Sequence, residues 1–184
     1  MDTIRKYLFS IFYRLLRFLV KHIVFIYQKI FNRDKDLESI VDFGDKNLTW
    51  INNNLGSLAF NFAIPGGLET EFFDLKFKSP LVAASFKSDE NLLDIWMKLG
   101  LGGSTYKTVM KSERSGNPRP RLQQIRLERE QCLVNALGLP GSGINLFTKE
   151  LLASSLWAYN RPLGISIGGE NVDEYVSNFN DIEK

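Results

Sequence analysis

The chain has 184 residues, 44% of them hydrophobic and 24% charged, enough apolar material for a packed domain and too much for a disordered one. Net charge is only +2, but residues 1–33 hold seven Lys/Arg (Arg5, Lys6, Arg14, Arg17, Lys21, Lys29, Arg33) against the single acid Asp2, a local +6 that leaves −4 on the other 151 residues. One cysteine, Cys132, and one histidine, His22, exclude a disulfide framework, a multi-cysteine zinc site and a His-rich metal centre, and a reducing compartment fits best. His22 lies in the cationic segment, away from every other polar cluster, so Ser-His-Asp and Cys-His chemistry are not expected. Any chemistry is expected to be carried by a cofactor, and no metal is expected.

From Ile4 to Phe31 the sequence is dense in Leu, Ile, Val, Phe and Tyr, yet Arg14, Arg17 and Lys21 interrupt it, and no uncharged stretch reaches the ~18–20 residues of a membrane-spanning helix. On a helix, Lys6, Ser10, Arg14, Arg17, Lys21 and Gln28 stack as one polar stripe, and the remaining circumference is apolar and aromatic. Burying three central cations in a bilayer would cost roughly 2.5–3.5 kcal/mol each, whereas a helix in the headgroup plane keeps them wet. Residues 1–33 are therefore expected to form an amphipathic helix at a membrane surface, peripheral on the cytoplasmic face, rather than a helix packed on its own domain or a signal peptide, with a transmembrane helix whose cations snorkel as the remaining alternative.

Residues 34–67 read as a linker with short helices over 37–62, ended by Pro65-Gly66-Gly67. Glu71-Phe72-Phe73 and Lys76-Phe77-Lys78 suggest a small hairpin. Beyond it, strand-like and helix-like segments alternate. Pro80–Ser85 suits a buried strand, Asp89–Leu99 an amphipathic helix closed by Gly100, and Gly103–Lys107 a second strand. A long polar loop to about Ser142 follows, then a helix capped by Thr148 and running to about Tyr159, a third strand over Pro162–Ile167, and a third helix over Asn171–Ile182. This order means parallel strands with right-handed crossovers, in a doubly wound sheet or the start of a (β/α)8 barrel. Gly100-Leu101-Gly102-Gly103 is no dinucleotide fingerprint, because those glycines precede a strand instead of opening a helix.

In either architecture functional groups collect at the carboxyl ends of the strands. The candidates are Ala84-Ser85-Phe86-Lys87, Lys107-Thr108, and two clusters in the long loop, Gly116-Asn117-Pro118-Arg119-Pro120-Arg121 and Asn135-Ala136-Leu137-Gly138-Leu139-Pro140. With Ser79-Pro80 before the first strand and Ser166-Ile167-Gly168-Gly169 ending the third, the order and spacing of these runs over residues 68–170 resemble the N-terminal part of a dihydroorotate dehydrogenase.

The resemblance implies an FMN-containing (β/α)8 TIM barrel that oxidises dihydroorotate to orotate in pyrimidine biosynthesis. The fold expected here is α/β: the first three βα units of such a barrel over residues 68–184, preceded by the amphipathic helix, the short helices and the hairpin. Ala84, Ser85, Lys107 and Thr108 are implied to contact FMN, and Lys107, Asn135, Leu137, Gly138 and Leu139 to contact the orotate ring. A lysine cation can stabilise negative charge at a reduced flavin, and an Asn amide offers a pyrimidine both donor and acceptor. Membrane-bound members of the family use a quinone as electron acceptor and carry a basic or apolar N-terminal extension, as here. They read Gly-Phe-Asp-Lys where this chain has Ser85-Phe86-Lys87-Ser88, while Lys107 stands where the soluble members carry their lysine.

A complete barrel takes ~250 residues. The family's catalytic base is expected beyond residue 184, and residues 1–184 alone are expected to be inactive; the alternative is a non-catalytic, membrane-attached remnant or interaction protein. Arg119 and Arg121 are expected to pair with acids such as Glu113, Cys132 to be a buried small hydrophobe, and His22 an interfacial residue. The cations between Lys107 and Arg129 are interleaved with Glu113 and Glu128 and lack stacking aromatics beyond Tyr106, so no nucleic-acid binding is expected.

Overall fold

The computed structural model describes residues 2–183, which form two compact units: residues up to Trp50 together with Asn117–Leu137, and Ile51–Gly116 together with Gly138 onward. The elements in chain order are α1 (Asp2–Ile30), α2 (Glu38–Ala59), β1 (Thr70–Phe72), β2 (Leu75–Phe77), β3 (Val82–Ala83), α3 (Glu90–Lys98), β4 (Gly103–Val109), β5 (Leu122–Leu127), β6 (Glu130–Asn135), α4 (Ile144–Leu152), a 3-10 turn (Ser155–Tyr159), β7 (Leu163–Ile167) and α5 (Val172–Glu183).

In the first unit α1 is one unbroken helix. Tyr7, Phe12, Leu15, Phe18, Ile23 and Ile26 are all exposed along it, so nothing in its own unit covers most of the apolar arc that the sequence lays out. Among the described residues no helix is long and apolar enough to cross a membrane. Near its end Gln28, buried at 5% exposure, pairs its side-chain amide with the backbone of Asp36: Nε2 donates to the Asp36 carbonyl at 2.9 Å and Oε1 accepts from the Asp36 N–H at 3.2 Å. That reciprocal bond fixes the connection into α2. The Leu37 N–H donates to the Leu122 carbonyl at 2.9 Å, which brings the β5–β6 hairpin onto the same connection.

The second unit is built round a parallel sheet in the order β3-β4-β7, Val82 pairing with Gly103 and Ser104 with Leu163. Helices α3 and α4 cover β4: Leu93, Met97, Tyr106, Val109, Ile144, Phe147, Leu151 and Leu156 make one buried cluster. At about 25 cal/mol per Å², each such side chain contributes ~1.5–3 kcal/mol. Asp89 caps α3, its carboxylate accepting from the Leu92 N–H. Gly100 (φ +103°) ends the helix in a conformation an L side chain resists. Gly102 lies so close to Ser79 that an added Cβ would collide with the Ser79 carbonyl oxygen, and its N–H donates to the Leu81 carbonyl at 2.8 Å.

The α/β class, the parallel strands, the hairpin β1–β2 and the third helix agree with the sequence reading. A closed barrel is not present: the sheet has three strands among the described residues. The helices expected over 37–62 are present as α2, two helical stretches that meet at a kink where Leu55 leaves helical dihedrals (φ −136°, ψ 15°). Two expectations need correction. The stretch read as a polar loop to Ser142 contains β5 and β6, paired in register from Leu122↔Asn135 to Leu127↔Glu130. Its charged residues sit on a two-stranded ribbon exposed on much of both faces, where they cost little and hide the strand pattern. The helix expected to begin at Thr148 begins at Ile144, because Gly143 at φ +80° turns the chain into it without a side-chain cap, and it yields to the 3-10 turn after Leu152.

Candidate functional site

The parallel sheet sends the carboxyl ends of β3, β4 and β7 in one direction, and the residues singled out there are close by. Ala84 is exposed and Ser85 half-buried just past β3. The Lys107 N–H donates to the Lys87 carbonyl at 3.0 Å, fastening the loop after β3 to β4. Alternation along β4 buries Ser104 and Tyr106 and leaves Thr105 and Lys107 half-buried. The Lys107 ammonium donates to the carbonyl oxygen of Pro140 at 3.0 Å, and the Thr108 hydroxyl lies 2.9 Å from that of Ser166 on β7. A register irregularity between Tyr106 and Val109 interrupts the β4–β7 ladder at these residues, a common device for re-aiming side chains at strand ends.

The two sequence clusters of the long loop turn out to be antiparallel neighbours at the base of the hairpin. The Asn117 N–H donates to the Leu137 carbonyl at 3.0 Å, its side-chain amide to the Ala136 carbonyl at 2.8 Å, and the Ala136 N–H to the Arg121 carbonyl at 2.9 Å. Asn135, at the end of β6, is exposed and Leu137 half-buried; both belong to the first unit, whereas Gly138 and Leu139 belong to the second with Lys107 and Thr108. Gly138 (φ 73°) and Leu139 (φ 53°) are both left-handed, a cost of roughly 1–2 kcal/mol at the leucine. Such strain clusters at functional sites.

Arg119 and Arg121 do pair with acids, but with those preceding and opening α2 rather than with Glu113. Arg119 Nε donates to Asp36 Oδ2 at 2.5 Å, and Arg121 grips Glu38 through Nε and Nη2 at 2.9 and 2.7 Å. The acidic Glu38 carboxylate raises the Arg121 pKa further. Cys132 is half-buried on β6 rather than fully buried, since the ribbon is too thin to enclose it. The exposed His22 ring packs on Phe18 and bonds its carbonyl at 2.7 Å.

Two arrangements lie outside the sequence reading. In the second unit, Asp94 accepts from Asn52 Nδ2 (2.6 Å), Lys98 Nζ (2.7 Å) and Tyr159 OH (2.6 Å). Burial alone would raise the Asp94 pKa; hydrogen bonds from Asn52, Lys98 and Tyr159 outweigh it and hold the carboxyl below its ordinary range. Burial, then the adjacent carboxylate, push the Tyr159 hydroxyl up. In the first unit, a cleft of about 870 Å³ is lined by apolar Val20, Ile23, Val24 and Phe43 and includes Arg119 on its polar wall. Apart from the i, i+4 pair Asp94–Lys98 and the arginines already singled out, the partners lie 42 to 83 residues apart in the chain and leave no local signal.

No cluster of His, Cys, Asp and Glu among the described residues could hold a metal. The groups at the strand ends, the half-buried Lys107 cation and the Thr108 and Ser166 hydroxyls beside small Ala84, are of the chemical kind that pairs with the nitrogens and carbonyl oxygens of a flavin ring.

A family model described as dihydroorotate dehydrogenase matches residues 67–184. The dihydroorotate dehydrogenase (quinone) of Gloeobacter violaceus is 32% identical over 120 residues, 61% of this chain and 33% of that protein. The same enzyme of Rhodopseudomonas palustris is 31% identical over 114 residues, 61% of this chain and 30% of that protein. A crystal structure of the Eimeria tenella enzyme in complex with ferulenol superposes with a TM-score of 0.60 at 18% identity, covering 77% of this chain and 40% of that one; it supports the fold. The match spans about a third of the length of these curated relatives. With the family model matched over residues 67–184, the chain belongs to the dihydroorotate dehydrogenase family of oxidoreductases.

Proposed function

We propose that the chain provides the first three βα units of a dihydroorotate dehydrogenase barrel, with an FMN and pyrimidine site at the ends of β3, β4 and β7, an acceptor cleft in its first unit and a membrane-lying α1. The observation that carries the reading is the half-buried Lys107 ammonium at the end of a parallel strand, turned toward the Gly138–Pro140 turn. An FMN held here would supply the hydride-accepting chemistry for dihydroorotate oxidation. Lys107 and Thr108 hold the flavin's polar edge and meet the substrate, and Ala84 and Ser85 let the ring approach. Asn135, Leu137, Gly138 and Leu139 contact the pyrimidine, as the family resemblance implies. Lys107, a fixed cation, favours the anionic form of whatever it touches.

The first-unit cleft suits a quinone. It has an apolar wall on α1 for the tail, its lining charges Arg33, Arg119, Asp34 and Asp36 sum to zero, and its volume lies in the usual range for small-molecule sites. The relatives' names specify that acceptor. The exposed apolar arc of α1 with its cations supports placing the chain at the cytoplasmic face of a membrane.

The flavin site is tested by titrating FMN into the chain completed with the remaining barrel units, with and without orotate, reading the flavin absorption band. Saturable binding that orotate strengthens and Lys107→Ala weakens is expected, whereas residues 1–184 alone are expected to hold no stoichiometric FMN. A spectrum indifferent to orotate and to the substitution would overturn the reading and favour a non-catalytic remnant.

A further inference from the structure

We propose that Asp36 makes the first-unit cleft selective for uncharged ligands by serving as the built-in counter-ion of Arg119. The proposal rests on reading that cleft as the acceptor site and names what it admits. Arg119 supplies a guanidinium to the wall of a cleft that has apolar Val20, Ile23, Val24 and Phe43 on one side and Arg33, Asp34 and Asp36 among its polar lining, and such a cation by itself would attract anionic amphiphiles. Asp36 prevents this. It is 7% exposed, and both of its carboxylate oxygens are engaged, Oδ2 by Arg119 Nε at 2.5 Å and Oδ1 by the Glu38 N–H at 2.9 Å.

Asp36 is also held at its backbone. Gln28 of α1 clamps its N–H and its carbonyl at 3.2 and 2.9 Å, so the counter-ion is held by the backbone and not only by a rotamer. Ser39 Oγ accepts from Arg119 Nη2 at 2.9 Å and fixes the other end of the guanidinium. Two further acids approach Arg119, at longer range. Glu38 lies 3.4 Å away but is already gripped by Arg121, and Asp42 lies 3.7 Å away with its side chain 54% exposed. Asp36 is thus the nearest and most enclosed of the three acids. An anion entering the cleft would have to compete with a fixed, desolvated carboxylate for Arg119, or accept its repulsion. A neutral carbonyl compound meets neither obstacle, because a guanidinium offers five N–H donors and can be shared without displacing the acid.

The test compares two naphthoquinones of similar size on the full chain in nanodiscs by titration calorimetry: menadione, which is neutral, and lawsone, an anion at neutral pH. The wild type should bind menadione at least about tenfold (~1.4 kcal/mol) more tightly than lawsone. Asp36→Asn keeps an oxygen for the Glu38 N–H and removes the charge; it should raise lawsone affinity by about tenfold or more and change menadione affinity by less than about threefold. Adding Arg119→Gln should abolish that gain. Arg119→Gln alone leaves Asp36 uncompensated and should weaken lawsone further, which decides the matter should the asparagine variant fold poorly.

If menadione binds and lawsone affinity ignores both single substitutions, Asp36 is not the selector and the acceptor reading stands. If neither compound binds wild type but Asp36→Asn takes up lawsone, the counter-ion role holds and the quinone reading fails. Binding of neither compound to any variant overturns both.

Discussion

The Lys107 ammonium and the Pro140 carbonyl oxygen are 3.0 Å apart, so one charged hydrogen bond ties the end of β4 to the turn in which Gly138 and Leu139 are both left-handed. The lysine is thereby oriented before any ligand arrives, the condition under which a cation stabilises developing negative charge without reorganising. In a flavin-loaded preparation of the chain completed with the remaining barrel units, Lys107→Ala is expected to slow flavin reduction by dihydroorotate by about 10²-fold, ~2.7 kcal/mol. Stopped-flow bleaching of the flavin measures it, and an unchanged rate at normal FMN content would make Lys107 a structural tie alone.

Reversal of Arg14, Arg17 and Lys21 to Glu is expected to remove most binding of the chain to anionic liposomes. Each cation near an anionic leaflet contributes about 1 kcal/mol, and each reversal turns attraction into repulsion. Co-sedimentation at low and high salt reads the effect. Partitioning that ignores the triple reversal at low salt would mean that α1 does not lie in the headgroup plane.

The Asp94 cluster sets a pH window for the second unit. The folded pKa of Asp94 lies below its ordinary 3.8, so its contribution is present above that value and fades as pH falls through the folded pKa. The folded pKa of Tyr159 lies above its ordinary 10.0, so its contribution is present below pH 10.0 and fades as pH rises past it. Denaturant unfolding should show stability lost at both ends. Asp94→Asn should cost about 2 kcal/mol at neutral pH, because Lys98 loses a charged partner and Tyr159 a strong acceptor, and should flatten the alkaline limb.

Gly102→Ala is expected to destabilise the second unit by on the order of 3 kcal/mol. The added methyl would occupy the space of the Ser79 carbonyl and break the approach that lets the Gly102 N–H reach Leu81. Gly44→Ala, where nothing lies within 4 Å of the added carbon, should be neutral or slightly stabilising, since alanine is the better helix former. Thermal unfolding of the two variants side by side separates close packing from a general effect of glycine replacement.

The sequence alone determined α1 and its polar stripe, the amphipathic helix α3, the stop at Gly100, the β1–β2 hairpin and the order of the parallel strands. Each of these rests on residues a few positions apart, where side-chain period, cap chemistry and glycine dihedrals act directly. The strand-end positions of Lys107 and Thr108 followed from that order. Tertiary structure decided the rest. The ribbon β5–β6 went unread because its residues are mostly exposed on both faces and show no clean alternation. The start of α4 depended on one glycine at positive φ, which composition does not announce. Arg119 and Arg121 were legible as structural cations, but their partners Asp36 and Glu38 are 83 positions away. An ion pair is chosen by which carboxylate the fold brings within reach, and only the connection clamped by Gln28 brings those carboxylates to those arginines.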